Sequence, residues 1–211
     1  MSLIRLAIIG ASSLGRQISG HAQATGLYEV VGYFDDFAAK SSEVFGGTSS
    51  INSCFEDGAF DCLSVGVGYH TMSFRHKIFT ELRGRIPFAK IFHSSSLLDS
   101  SAKAEEGVVM LANAVVDQRT EIGANCFISI ATTISHDSVI GESAYLAPRT
   151  TVCGNCRVGN RVFLGAGCVI KDGIQICDDA IVGAGAVVVK DINVPGVYVG
   201  NPAKMIKGIT S

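Results

Sequence analysis

Branched aliphatic residues recur at every sixth position from Ile122 through Ile128, Ile134, Ile140, Leu146, Val152, Val158, Leu164, Ile170, Ile176 and Val182 to Val188. An α-helix repeats every 3.6 residues and a strand every two, so neither produces this period. An unbroken hexad predicts a parallel β-helix in which each repeat lays one flat strand on the wall of a prism, its aliphatic residue pointing inward. Three hexads close one triangular coil, so residues eighteen apart stack. The second hexad position is often small (Gly123, Ser129, Ser135, Gly141, Ala147, Gly159, Gly165, Gly183), as tight corners require. The pattern takes over from Met110 and Val116 onward.

Before the hexads the periodicity differs. Leu3 to Ile9 reads as an apolar strand running into the turn Gly10-Ala-Ser-Ser-Leu-Gly15. A helical stretch follows to about Thr25, with Leu14, Ile18 and Ala22 four apart. A second strand, Glu29 to Phe34, ends in Asp35 and Asp36, and a third, Cys62 to Val67, ends in Gly68, Tyr69 and His70. Thr71 to Arg83 predicts an amphipathic helix with Phe74, Ile78 and Leu82 on one face, and Phe88 to Phe92 a fourth strand. The expected fold class is therefore an α/β half-Rossmann domain over residues 1–93, with a parallel sheet, followed by a parallel β-helix over residues 94–211.

A glycine-rich turn between strand and helix aims backbone N–H groups and the positive end of a helix dipole at a phosphate. The spacing is not G-x-G-x-x-G, and about 92 residues supply only half of a doubled dinucleotide fold, which points to one nucleotide or a nucleotide-sugar instead of NAD. Asp35 and Asp36 end a strand on the ligand side of such a sheet. They either bond a ribose or a base, or are solvated turn residues.

Composition narrows the partners. Charged residues are 17 % of the 211 and the net charge is −2, which leaves no basic face for nucleic acid or an anionic membrane. The longest apolar runs are about ten residues, short of a membrane span. The N-terminus, with Arg5 inside its apolar stretch, reads as a first strand and not as a signal peptide. Cys126, Cys156 and Cys168 share the fifth hexad position with Thr, Ser and Ala and read as inward-facing fillers. Cys153 and Cys156 have C-x-x-C spacing but no second pair or histidines nearby, so no metal is expected. Seven cysteines suit a reducing cytoplasm. His136 is the one histidine within the regular hexads. It falls at a corner, facing outward, between Gln118 one coil before and Gly154 one coil after.

Taken together, Gly10 to Gly15, the Asp35-Asp36 strand end, Gly66-Val-Gly68, His93, the segment Ile134-Ser-His-Asp-Ser-Val-Ile-Gly141 and the closing Gly200-Asn-Pro-Ala-Lys204 resemble the left-handed β-helix acyltransferases. Within them the match is to the bacterial sugar acetyltransferases of the NeuD/PglD type. The resemblance spans essentially the whole chain. It implies a homotrimer, with acetyl-CoA in the groove between two β-helices and a UDP-, GDP- or dTDP-linked amino sugar held by the first domain, its amino group directed toward the thioester. His136 matches the family's general base and Asp137 the acidic residue that follows it. Gly10, Ala11, Ser12, Ser13, Asp35, Asp36, Gly68 and Tyr69 are then expected at the nucleotide-sugar. Ser129 and Tyr145 are expected at acetyl-CoA, backbone groups near Gly154, Ala166 and Ala184 along the pantetheine, and Pro202 and Lys204 toward the nucleotide end of CoA.

Two positions depart from the family pattern. Ser13 and Leu14 stand where relatives often read Gly and His, and Tyr145 stands where many carry a second histidine. The activity implied is direct N-acetylation of a nucleotide-linked amino-deoxy sugar, for surface-glycan or glycoprotein precursors. Acetylation of a sugar hydroxyl, as in the sialic acid branch, uses the same scaffold and histidine. A carbonic anhydrase of the γ class would need three histidines around a metal. A scaffold that only trimerises and senses a nucleotide would release no thiol from acetyl-CoA.

Overall fold

The structure is a computed structural model that describes residues 2–39 and 41–209. The chain divides into two compact units, Met1–Ser94 and Ser95–Ser211.

In the first unit, strand β1 (Ile4–Ile9) leads through the glycine turn into helix α1 (Ser13–Ala24) and back into β2 (Tyr28–Phe34). Next come β3 (Val44–Gly46), the short helix α2 (Ile51–Glu56), β4 (Cys62–Val65) and α3 (Met72–Leu82). The sheet is parallel, in the order β3-β2-β1-β4. The chain leaves β1 toward β2 on one side, while β4 lies on the other. The carboxyl ends of β1 and β4 therefore bound the crevice where ligands bind in such sheets.

Glycine makes this junction possible. A Cβ on Gly15 would lie 1.9 Å from the Gly10 carbonyl oxygen, and one on Gly66 would lie 2.7 Å from Gly15 Cα. The two loops thus touch backbone to backbone.

The elements differ from expectation in four places. β3 and α2 were not foreseen, being too short to show a period. The third strand stops at Val65, its last sheet bond running from the Gly66 N–H to the Ile9 carbonyl. The fourth strand shrinks to a single bridge, Phe88 beside Leu63, and the pair Ile91–Phe92 is not part of this sheet. In α3 the buried face is Arg75, Ile78, Phe79 and Leu82, and Phe74 turns outward.

The second unit is a parallel solenoid. Two-residue strands fall on three walls. One runs through Val109–Met110, Phe127–Ile128, Tyr145–Leu146, Phe163–Leu164 and Ile181–Val182. A second runs through Val115–Val116, Thr133–Ile134, Thr151–Val152, Val169–Ile170 and Val187–Val188. The third runs through Glu121–Ile122, Val139–Ile140, Arg157–Val158 and Gln175–Ile176. Each strand pairs in parallel with the one eighteen residues on. All twelve hexad aliphatics are inside, none more than 3 % exposed. Each contributes roughly 1.5–3 kcal/mol against the exposed state, before the entropy of ordering is subtracted. The coils start earlier than expected, with Leu97–Leu98 and Lys103–Ala104 already in phase.

The tight corner is not at the second hexad position. The left-handed backbone falls two residues later, at Asn113, Arg119, Asn125, Ala131, Asp137, Ser143, Arg149, Asn155, Arg161 and Asp179, with Gly107, Gly167, Gly173 and Gly185 completing the series. Asparagine, aspartate and glycine tolerate that conformation best. The second-position glycines are small for another reason: a Cβ on Gly141 would lie 2.5 Å from Gly159 C of the next coil. Leu146→Ala, which empties a fully buried site, is expected to cost about 2–5 kcal/mol of unfolding free energy. Gln175→Ala, on the outer face, is expected to stay within about 0.5 kcal/mol. Urea midpoints of the two variants check the pair.

Candidate active site

His136 sits on the corner that follows the second wall, immediately before a left-handed residue, Asp137. That backbone turn brings the two neighbouring side chains together, with His136 Nδ1 2.8 Å from Asp137 Oδ2. Arg119, one coil earlier on the same corner, closes on the carboxylate as a fork, Nε to Oδ1 at 2.6 Å and Nη2 to Oδ2 at 2.8 Å. The guanidinium first, and His136 second, hold the Asp137 carboxyl well below the usual carboxylate range. An ionised carboxylate only accepts, so Nδ1 is the donor and Nε2 carries the lone pair. An imidazole in that tautomer is equipped to take a proton.

On the next coil the ring faces Gly154, which has no side chain. A Cβ on Gly154 would lie 2.8 Å from His136 Cε1 and 2.9 Å from Nε2. Gly154 itself donates its N–H to Asp172 Oδ1 at 3.0 Å. Arg119 was not singled out from the sequence, although its place eighteen residues before Asp137 is a readable signal.

The residues expected along acetyl-CoA are divided. Gly154 shares the histidine corner, whereas Ala166 and Ala184 stack on the corner after the first wall and are exposed. Ser129 belongs to that second corner but is only 4 % exposed. Tyr145, 9 % exposed, lies in an aromatic column on the first wall, 4.7 Å from Phe127 and 5.8 Å from Phe163 between ring centres. Their side chains are packed within the chain itself. Pro202 and Lys204 lie at the far end of the coil, where the Ala203 N–H binds the Val187 carbonyl.

The first unit has a cavity of about 450 Å³ at the carboxyl ends of its strands. Of the residues expected at the nucleotide-sugar, Gly10, Ser12, Asp35, Asp36 and Gly68 line it. Ala11, Ser13 and Tyr69 do not. The Ala11 N–H is given to Asp35 Oδ2 at 2.8 Å, Ser13 opens α1, and the Tyr69 ring lies 4.1 Å from that of His70.

Asp35 accepts three backbone N–H groups, from Ala11, Phe37 and Ala38, which hold its carboxyl below the usual range despite partial burial. A carboxylate has about four acceptor positions, so Asp35 is mostly a clamp on the loops. Asp36 accepts the Thr48 N–H and hydroxyl and keeps capacity for a ligand. Phe37, Thr48 and Phe74 also line the cavity and were not foreseen. Phe37 is 98 % exposed, an aromatic face with no packing role in the chain. His93 meets His21 edge to face, their centres 5.2 Å apart, and burial lowers the His21 pKa.

The fifth-position cysteines are fillers, as their pattern suggested. Cys126 and Cys156 give their thiols to the carbonyls of Gly141 and Lys171, the same reach that Thr120 and Ser138 make to Ser135 and Cys153. Burial pushes the Cys168 thiol up to about 11 and raises that of Cys156. Cys153, on the histidine corner, is also raised by burial. None is primed as a nucleophile.

Comparison with known proteins follows this division. Residues 5–82 match the PglD N-terminal domain, and residues 137–172 and 155–190 match the bacterial transferase hexapeptide (six repeats). The acetyltransferase domain of PglB from Neisseria gonorrhoeae, solved with acetyl coenzyme A, superposes with a TM-score of 0.88. It is 26 % identical over 97 % of this chain and 100 % of that one. The chain joins a PglD N-terminal domain to bacterial transferase hexapeptide repeats. Its fold is that of the hexapeptide left-handed β-helix superfamily, and it is an acyltransferase.

A histidine-to-asparagine mutant of perosamine N-acetyltransferase from Caulobacter crescentus, solved with CoA and GDP-perosamine, is also similar. Its TM-score is 0.90, at 27 % identity over 99 % of each chain. WeeI from Acinetobacter baumannii, 20 % identical over 97 % of this chain and 100 % of that one at a TM-score of 0.80, shares the fold. Comparison with curated protein sequences finds no match.

Two outcomes test this corner. Gly154→Ala is expected to displace the imidazole and cut turnover at least tenfold with an unchanged melting temperature, since Gly154 does not need a left-handed backbone. Arg119→Met is expected to return the Asp137 carboxyl toward about 3.9. Because the wild-type value is depressed, the His136–Asp137 bond persists above the ordinary carboxylate value and is lost only as pH falls through the lower one. The variant loses the bond at higher pH, visible in the carboxyl-carbon titration by NMR.

Proposed function

We propose that the chain transfers the acetyl group of acetyl-CoA to the amino group of a nucleotide-linked amino-deoxy sugar, directly and with His136 as general base. The amine nitrogen adds to the thioester carbonyl carbon and gives its proton to His136 Nε2. The C–S bond then breaks, the new C–N bond remains, and the thiolate recovers the proton from the imidazole. A backbone N–H steadies the oxyanion. The observation that carries this reading is the Arg119–Asp137–His136 chain of contacts, which fixes the tautomer that leaves Nε2 able to accept. The high thiol pKa values of Cys153, Cys156 and Cys168 favour direct transfer over an acyl-cysteine.

Support for the substrates comes from the relatives, one solved with acetyl coenzyme A and others with CoA and GDP-perosamine. In the first unit, the cavity offers the uncapped start of α1 to phosphates, Asp36 to a ribose or base, and Phe37 as a stacking face. The working assembly is a homotrimer. Gly154 and His136 occupy one corner of the prism and Ala166 and Ala184 another, so a pantetheine touching both sets needs two copies side by side. Seven free cysteines fit a reducing cytoplasm, and among the described residues no helix is long and apolar enough to cross a membrane. The product then belongs to surface-glycan or glycoprotein precursors.

A panel of UDP-, GDP- and dTDP-linked amino sugars, with sialic acid beside them, followed by thiol release, tests the acceptor. His136→Ala is expected to lower turnover by about 10²–10⁴-fold with little change in CoA affinity. Near wild-type turnover in that variant would remove His136 from the scheme, and no thiol release with any acceptor would leave only a scaffold.

A further inference from the structure

The cavity of the first unit presents an electrostatic problem. Among the described residues, its lining includes two carboxylates, Asp35 and Asp36, and no lysine or arginine. Under the function proposed above it takes a nucleoside diphosphate, whose phosphates those carboxylates repel. The start of α1 offsets part of this, since Ser12 lines the cavity and no side chain caps the first turn. A helix end is equivalent to only about half a charge, too little against two carboxylates.

The missing charge lies behind the lining. Arg75 of α3 is fully buried, on the face where the sequence pattern suggested Phe74. Its Nη1 donates to the Val65 carbonyl at 2.7 Å and to the Val67 carbonyl at 3.2 Å. Those two residues flank Gly66, and Gly66 and Val67 line the cavity. The guanidinium is thus one peptide layer away from it.

The loop between them has no slack. The Gly66 N–H donates to the Ile9 carbonyl at 2.7 Å, and a Cβ on Gly66 would strike Gly15 Cα. A guanidinium keeps its proton in proteins, and away from water its field is weakly screened.

We propose that Arg75 is the positioning residue that helps this cavity accept a diphosphate: it ties the Val65–Val67 loop in place and brings a positive field to a described lining that holds two carboxylates and no cation. The proposal rests on the nucleotide-sugar reading. A purely mechanical tie would serve any ligand of the cavity equally. A charge serves the phosphates and leaves the nucleoside alone, and that difference is measurable.

Calorimetry on the intact protein with UDP, GDP and dTDP, and with uridine, guanosine and thymidine, makes the comparison. Arg75→Met is expected to lower affinity for the preferred diphosphate about ten- to hundredfold more than for its nucleoside. Arg75→Lys keeps the charge but not the planar fork, so it is expected to weaken both while preserving their ratio. Equal losses for diphosphate and nucleoside in Arg75→Met, or no loss, would overturn the proposal and leave a strut. Should Arg75→Met fail to fold, Arg75→Lys decides alone, a tenfold fall in its diphosphate-to-nucleoside ratio being the overturning result. Wild-type protein that binds none of the three diphosphates overturns the nucleotide reading itself, an outcome separate from either variant's.

Discussion

The parallel ladder between successive coils is the constraint on which the second unit depends. It holds each two-residue strand in register with the strand eighteen residues later, so every outward side chain has its neighbours at that separation. Side-chain bonds follow the same arithmetic. Asn125 donates to Ser143, Asn160 to Asp178 and Arg161 to Asp179, and Arg119 reaches Asp137 by the same step. An exposed ion pair of this sort adds little stability by itself. Its value at Arg119–Asp137 is geometric, because a forked guanidinium allows the carboxylate one orientation and that orientation selects the histidine tautomer.

The same ladder explains which residues each hexad position takes. The aliphatic fills the prism, and where the fifth position carries a hydroxyl or thiol, at Thr120, Cys126 and Ser138, it donates to a corner carbonyl fifteen residues ahead. The second position is small because the next coil is about one atom away, and the fourth adopts the left-handed backbone. His136 and Asp137 occupy the third and fourth positions. The third faces outward, and the fourth bends the chain enough for adjacent side chains to meet. A histidine placed at a strand position would have pointed along a flat wall with no such partner.

Legibility followed periodicity. The hexads, the inward cysteines and the outward corner histidine were readable because one strong period repeats across many coils, and each position's role is confirmed by its copies. Arg119 was readable by the same rule and was passed over because no local motif marks it. The first unit has no such repetition. Its β3 and α2 are too short for a pattern, and Thr48 reaches the cavity only through them. Asp35 and Asp36 looked alike in sequence, yet one spends its oxygens on three loop N–H groups while the other is held by a single threonine. Phe74 was assigned to the buried side of α3, where the structure has Arg75. Apolar pattern rules place a phenylalanine inside and a charge outside, and here the charge is inside because two loop carbonyls receive it.

The two units therefore reach precision by different routes. In the coil, position comes from a repeated backbone ladder, and chemistry is added on corners without disturbing the core. In the α/β unit it comes from glycines that let Gly10, Gly15 and Gly66 approach within van der Waals contact, and from an aspartate and an arginine that lock the loops around them. The first route tolerates change at any outward position. The second does not, since a methyl group at Gly15 has nowhere to go. On the proposed reading, substrate choice is therefore expected to diverge through side chains such as Phe37 and Phe74, which line the cavity but are not among the groups that interlock the loops.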